Sequence, residues 1–315
     1  MKKVLITGGT GSLGQRLTER LLEDPSIEEI RVYSRNEKNQ YLMNKHFNNP
    51  RLTFFIGDVK DYTRLVEASK GVDTVIHAAA LKHIDLGEKH PEEFVKTNVL
   101  GTINVIKACD HNQVKDLVYV STDKACQPAN LYGMTKAIGE KLVCGDGHTV
   151  DSQTRRIAVR YGNVAASNGS VIPFFRKFVE EGKSLPLTHT EMTRFFITLH
   201  EAVDLILFAY AHAKHKEIFV RKAPSFKIKD LAEFMLDYYS AQNKKIDIIG
   251  FKSHGEKVHE ILISDDESAR TENLGDYLVI RKHIIGNKTG AYSSEITKDK
   301  EELVELFKKI DDYEW

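Results

Sequence analysis

The sequence predicts an α/β protein built on a doubly wound parallel sheet, and three observations carry that prediction. Short β-rich runs alternate with amphipathic helical patterns through the first half of the chain. Those runs are continuously apolar, as strands covered on both faces are. A glycine-rich turn, Gly8-Gly9-Thr10-Gly11-Ser12-Leu13-Gly14, follows the first run directly and opens the first helical pattern.

Taken in order, "KVLITG" is the first strand, followed by a helix near 12–23, "EIRVYS", a helix near 36–47, "LTFFIGD", a helix near 61–69 and "VDTVIHAAA". A helix over 91–111 opens at Pro91, whose missing N–H is not needed in a first turn. The strand "DLVYVST", a helix near 131–144 and the strand "RIAVR" complete the series. Beyond Tyr161, Gly, Asn, Ser and Pro cluster in "YGNVAASNGSVIP", and a more charged pattern runs to Trp315. The expected division is a dinucleotide-binding domain over 1–162 and a mainly substrate-binding lobe over 163–315. Parts of 195–225 are expected to return to the first domain, because "EIFVRK" reads as a late strand able to rejoin the sheet.

Composition narrows the function classes. Lys plus Arg (45) balance Asp plus Glu (45), so no whole-molecule field favours nucleic acid or an acidic membrane; a small-molecule partner is expected. "VLITGG" is too short for a signal-peptide core, and no segment approaches eighteen uninterrupted apolar residues, which implies a soluble, cytoplasmic protein. Cys109, Cys126 and Cys144 lack ligand spacing and read as reduced thiols, with no metal site expected.

The glycine turn explains itself as a phosphate cradle. Gly8, Gly11 and Gly14 allow a tight turn, a close approach of backbone to pyrophosphate and close helix–strand packing, with Thr10, Ser12 and Leu13 lining the same loop. The second strand ends in Tyr33-Ser34-Arg35, without the acid that an NAD site uses to hold the ribose hydroxyls. Arg35, beside Ser34 and helped by Lys38, is instead suited to a 2′-phosphate, which favours NADP. Asp58 and Val59 close the third strand where adenine would lie. Ala78 and Ala79 after the fourth are small enough for the cofactor to pass.

Tyr132 and Lys136 stand four residues apart on a predicted helix, hence on one face. The lysine charge would lower the tyrosine pKa and make Tyr132 a base for a substrate hydroxyl as hydride leaves its carbon. With the glycine loop and Thr122 at the end of "LVYVST", the pair resembles the extended branch of the short-chain dehydrogenase/reductase superfamily. The resemblance then narrows. "TGGTGSLG", "VYSRNE", "FFIGDVKD", "HAAALKHI", "KTNVLGT", "STDKA", "NLYGMTK", "VRYGNV", "MTRFFITL" and "GEKVHE" together resemble the soluble UDP-N-acetylglucosamine 4,6-dehydratases of bacterial surface-sugar synthesis. Asp123-Lys124 after the Thr separates these enzymes from sugar-nucleotide epimerases and from dehydratases with Asp-Glu there.

The resemblance implies NADP, UDP-N-acetylglucosamine and a homo-oligomer, and it assigns roles. Tyr132 takes the C4 hydroxyl proton, Lys136 holds the nicotinamide ribose, and Thr122 positions the C4 oxygen. Lys124 removes the C5 proton, and Asp123 protonates the departing C6 hydroxyl. Whether Lys124 is neutral depends on burial and neighbouring cations against the Asp123 carboxylate, a balance the sequence leaves open. Lys82, Asn163, Val171, Arg194 and Glu256 are implied on the substrate, Val164 on nicotinamide, and Asn98 as a structural link. An ion pair between lobes is the alternative for Arg194 and Glu256. "FKSHGEK" departs from the family's Arg-Pro-Gly-Glu-Lys, leaving Lys252 in place of a diphosphate-binding Arg. The C5 configuration of the product is left undecided, with a lean to inversion. The competing readings are a nucleotide-sugar epimerase acting at C4, C3 or C5, and a catalytically silent NADP-binding sensor.

Overall fold

The structure is a computed structural model that describes residues 1–145, 152–167, 169–241, 243–251 and 255–311. Its first half alternates β1 (Lys3–Thr7), α1 (Ser12–Leu22), β2 (Glu29–Ser34), α2 (Glu37–Phe47), β3 (Leu52–Ile56), α3 (Tyr62–Ser69) and β4 (Thr74–His77). Next come α4 (Ile84–Lys89), α5 (Pro91–Phe94), a π turn (Val95–Leu100), α6 (Gly101–His111), β5 (Asp116–Val120), α7 (Leu131–Cys144) and β6 (Arg155–Arg160). The second half holds β7 (Asn163–Val164), α8 (Val171–Glu180), β8 (Leu185–Leu187), β9 (Thr193–Ile197), α9 (Leu199–His212) and β10 (Glu217–Arg221). It ends with β11 (Ser225–Lys227), α10 (Ile228–Tyr238), β12 (Ile246–Ile248), β13 (Ile261–Ile263), α11 (Asp265–Ser268), β14 (Thr271–Leu274), β15 (Tyr277–Ile280), β16 (Tyr292–Ser293) and α12 (Lys300–Asp311).

Among the described residues the main sheet has nine strands in the order β3-β2-β1-β4-β5-β6-β10-β15-β14. It is parallel from β3 to β10, and β15 and β14 close it antiparallel. The order reverses between β1 and β4, where a doubly wound sheet opens its ligand crevice. Neighbouring strand residues serve opposite faces: Leu5, Val75 and Leu117 enter one apolar cluster, and Val4, Ile6, Ile76 and Val118 enter the other. A third cluster, including Phe175, Phe196, Leu231 and Phe307, is the core of the second lobe. No described helix is long and apolar enough to cross a membrane.

Two features differ from the sequence reading. The helix expected over 91–111 is interrupted by the π turn, which holds Asn98 against the Leu81 backbone: its Oδ1 accepts the Leu81 N–H (2.8 Å) and its Nδ2 donates to the Leu81 carbonyl (2.9 Å). The second difference lies at the sheet edge. Besides β10, the hairpin β14–β15 from the far C-terminal half also joins the main sheet, and Val279 and Ile280 are buried there.

Candidate active site

Gly8 has φ +69, and a Cβ there would stand 2.8 Å from the Ala79 backbone, so this turn requires glycine both for its conformation and for the crossing of the β4 loop. Gly8, Thr10, Gly11, Ser12, Leu13, Gly14, Ser34, Arg35, Asp58, Val59, Ala78 and Ala79 border one cleft of about 550 Å³. The cleft continues past Lys82 to Thr122, Lys124, Tyr132, Lys136, Asn163, Val164 and Val171. The residues therefore fit an extended dinucleotide whose pyrophosphate meets the start of α1 and whose nicotinamide end meets α7. Arg35 is largely exposed, 3.8 Å from Asp58 Oδ2. Lys38 is exposed and does not border the cleft. Lys252 lies outside the described residues.

Strand β5 leads into the turn that carries Thr122, Asp123 and Lys124. Thr122 caps the short 3-10 turn Asp123–Ala125 and donates its hydroxyl to Asp123 Oδ1 at 2.9 Å. Helix α7 begins at the Asn130 cap and packs directly on that turn, since a Cβ at Gly133 would stand 2.2 Å from the Lys124 carbonyl. Asn98 reaches the same helix through Thr135 Oγ1, 3.0 Å from its Nδ2. Lys124 Nζ donates to Asp123 Oδ1 (3.1 Å) and to Asn163 Oδ1 (3.2 Å). Asp123 is fully buried and does not border the cleft, and its Oδ2 has no hydrogen-bond partner among the described residues.

A carboxylate that the sequence reading passed over completes this cluster. Glu260, at the entry to β13, is 2% exposed and sits 3.5 Å from Lys124 Nζ. Arg194 Nε is 3.9 Å from the same oxygen, Oε1, and Lys257 Nζ is 3.5 Å from Oε2. Arg194 also donates to the carbonyls of Thr193 and Val258 and does not border the cleft. Glu256 is half-buried beside Gly255, whose carbonyl accepts from Asn130, and it too stands off the cleft. "GEKVHE" holds both Glu256 and Glu260, and only the fold distinguishes which one meets the lysine.

The electrostatics divide these groups. Burial pushes the Asp123 carboxyl above the usual range; Lys124 opposes this and Glu260 adds to it. Burial pulls Lys124 down, but Asp123 and Glu260 outweigh it, so its pKa lies above an ordinary lysine's and the balance left open by the sequence falls toward the ammonium. For Glu260 burial is likewise overcome, here by Lys124, Arg194 and Lys257, which hold it below the carboxylate range. Burial raises Tyr132, with Lys124 and a Thr122 interaction opposing. The cation acting on Tyr132 is thus Lys124 rather than the expected Lys136. Lys136 turns its ammonium to the Val120 carbonyl (2.5 Å) and the Tyr119 ring (3.9 Å), and burial brings it down to about 7. The described residues contain no cluster able to hold a metal ion.

A dinucleotide cradle leading into a Tyr132/Lys136 helix defines an NAD(P)-dependent enzyme of the short-chain dehydrogenase/reductase class. More narrowly, the family described as polysaccharide biosynthesis protein matches residues 4–282, and the chain belongs to it. A Campylobacter jejuni relative named UDP-N-acetylglucosamine 4,6-dehydratase (inverting) is 47% identical over 285 residues, covering 90% of this chain and 84% of the relative. A Rickettsia canadensis relative named UDP-glucose 4-epimerase is 44% identical over 280 residues, covering 88% and 82%. The crystal structure of Pen from Bacillus thuringiensis superposes with a TM-score of 0.92 at 38% identity, covering 98% of both chains.

Proposed function

We propose that this protein is a UDP-N-acetylglucosamine 4,6-dehydratase that uses NADP and yields a UDP-2-acetamido-2,6-dideoxy-hexos-4-ulose with inverted C5. The observation that carries the reading is the Lys124 ammonium, held by Asp123 and Asn163 at the end of the cleft that Tyr132 and the glycine loop border. A 4-epimerase needs the tyrosine and lysine of α7 but has no use for a second acid–base pair. The name of the C. jejuni relative supports both the substrate and inversion.

A bound nicotinamide supplies hydride acceptance from C4 and hydride return to C6. The remaining work belongs to the chain. Tyr132 takes the C4 hydroxyl proton, with Thr122 and the Lys124 charge favouring its ionised form. Lys124, once its ammonium proton has passed to Asp123, takes the C5 proton, which the C4 ketone has acidified. Asp123 supplies the proton with which the C6 hydroxyl leaves as water. Because Asp123 is buried while Thr122 borders the cleft and is hydrogen-bonded to it, that proton passes through the Thr122 hydroxyl. Lys82, Asn163 and Val171 face the substrate, and Val164 faces the nicotinamide ring. Arg194 and Glu256 do not border the cleft, so they meet the nucleotide end of the substrate only if the lobe rearranges when substrate binds.

Arg35 and Ser34 at the cleft rim, with no acid at the end of β2, support NADP over NAD. The apolar residues Leu100, Met134 and Ile138, exposed at 48%, 46% and 45%, support a homo-oligomer formed through the π turn and α7. A nucleotide-sugar substrate accords with a cytoplasmic enzyme. A second reading, nucleotide-sugar 4-epimerase, is favoured by the names of the Rickettsia relatives. Incubating the purified protein with UDP-N-acetylglucosamine and no added coenzyme decides between them by mass spectrometry. Loss of one water supports the dehydratase, whereas an isomer of unchanged mass replaces it with the epimerase. Proton couplings at C5 of the product test inversion.

A further inference from the structure

Lys124 lies between two buried carboxylates that differ in their surroundings. Among the described residues Asp123 has one cation, Lys124 at 3.1 Å, and an oxygen without a hydrogen-bond partner. Glu260 has three: Lys124, Arg194 and Lys257. Its backbone is fixed as well, since its N–H donates to Ser294 Oγ (2.9 Å), which in turn meets Thr193 Oγ1 (2.7 Å). Lys257 adds a tie to the catalytic turn itself by donating to the Cys126 carbonyl at 2.7 Å. The second lobe thus lays a carboxylate, its pKa held down by three neighbouring cations, against Lys124.

We infer that Glu260 is a positioning residue for the elimination: it stabilises the ammonium that forms on Lys124 as the C5 proton arrives. The inference rests on the dehydratase reading. Before the step Asp123 is protonated, Lys124 neutral and Glu260 ionised. The C5–H bond breaks and its proton forms an N–H bond on Lys124, while its electron pair becomes the C5=C6 π bond. The C6–O bond breaks, and the oxygen leaves as water with the proton from Asp123. Afterwards Asp123 and Glu260 are ionised and Lys124 is an ammonium, so the three groups keep the same total charge. This is the ion pair seen at 3.1 Å, and return of its proton from Nζ to Asp123 restores the starting form. Asp123 gains its charge only as it gives up its proton, so the carboxylate that stands charged beside Lys124 before and throughout the transfer is Glu260. The relation matches that of a buried carboxylate to the histidine it supports in a nucleophilic triad.

The charged and titratable groups facing Glu260 are Lys124 and Asp123 from the catalytic turn, Arg194 from β9, and Lys257 from its own segment. His259 is turned to Thr193 Oγ1 at 2.8 Å. Removing the Glu260 charge lowers the pKa of both Lys124 and Asp123, so both limbs of the rate profile move to lower pH, and Lys124 becomes a weaker base.

The test uses the full-length holoenzyme with UDP-N-acetylglucosamine. Wild-type conversion to a product lighter by one water is measured first, and its absence overturns the dehydratase reading and this inference together. Given turnover, Glu260→Gln is expected to slow exchange of the C5 hydrogen with deuterated solvent by about ten- to a hundred-fold, as for a lost charge-assisted contact. The rise in reduced-nicotinamide absorbance on adding substrate should persist, and the kcat profile should move to lower pH. Glu260→Asp, which keeps the charge, should leave the profile in place with a smaller loss. A Glu260→Gln enzyme that loses C4 oxidation and C5 exchange together, with its profile unmoved, overturns the inference, as does unchanged exchange. Should Glu260→Gln not fold, wild-type exchange in Glu260→Asp overturns it equally.

Discussion

Asn163 Oδ1 accepts a hydrogen bond from Lys124 Nζ at 3.2 Å, so β7 holds the lysine at the middle of the turn Asp123–Ala125. With Asp123 on its other side, Lys124 is fixed at the cleft rather than extended into solvent. Replacing it separates the two halves of the reaction. Lys124→Met should lower turnover by about 10²–10⁴-fold, the usual worth of a general base. C4 oxidation, read as reduced-nicotinamide absorbance, should slow, because the Lys124 charge also favours ionised Tyr132, but it should persist with Thr122 still in place. Loss of that absorbance in correctly folded protein would assign Lys124 to the redox step instead.

The reach of sequence reasoning follows from where each group sits in the chain. The glycine turn, Asp123-Lys124 and the Tyr132/Lys136 spacing were legible because each is a local pattern on one strand end or one helix face. Glu260 was not, because its partners Lys124, Arg194 and Lys257 meet only after β9 and β13 fold over the catalytic turn. The same holds for β14–β15, two four-residue strands whose place in the sheet is set by pairing with β10. The π turn escaped notice because its cause is tertiary: Asn98 is drawn to the backbone of Leu81.

Acid sensitivity should originate at Arg160. This fully buried guanidinium makes two-point contacts with Glu140 (3.0 and 2.6 Å) and Glu267 (2.8 and 3.0 Å), joining β6, α7 and α11. Burial would raise Glu267, but Arg160 outweighs it and holds the carboxyl at about 2. Its folded pKa lies below its unfolded value, so its contribution is complete above the unfolded pKa of about 4.3 and disappears as pH falls toward 2. The linkage is on the order of 3 kcal/mol. Urea unfolding of Glu267→Gln should show a deficit at pH 7 that shrinks between about pH 4.5 and 2. A deficit constant across that window would mean that the pair contributes by packing alone.

Cofactor choice should depend on Arg35. Its guanidinium borders the cleft next to Ser34 and is 3.8 Å from Asp58, and much of its side chain is open to solvent. A charge-assisted contact to phosphate contributes about 1.5–3 kcal/mol, roughly ten- to a hundred-fold in affinity. Solvent exposure favours the lower end. Arg35→Ala should weaken NADP binding by that factor while leaving NAD binding within about two-fold, measured by calorimetry on cofactor-stripped protein. Equal losses for both cofactors would show that Arg35 contacts something other than the 2′-phosphate.

Lys136 should trade stability for activity. Its ammonium is buried against the Tyr119 ring and the Val120 carbonyl, and burial brings its pKa down to about 7. An unfolded lysine titrates near 10.4, so between about pH 7 and 10 the unfolded chain binds the extra proton and this group's contribution to stability rises with pH. Below pH 7 the full cost of burying the charge is present. Lys136→Met keeps much of the side-chain volume and removes that cost, so the variant, freed of cofactor, should melt a few degrees above wild type at pH 7. The advantage should narrow as pH rises toward 10. Activity should fall at every pH, because no amine then reaches the ribose to hydrogen-bond it. A variant less stable than wild type at pH 7, with no narrowing at higher pH, would show that the ring and carbonyl contacts outweigh the desolvation of Lys136.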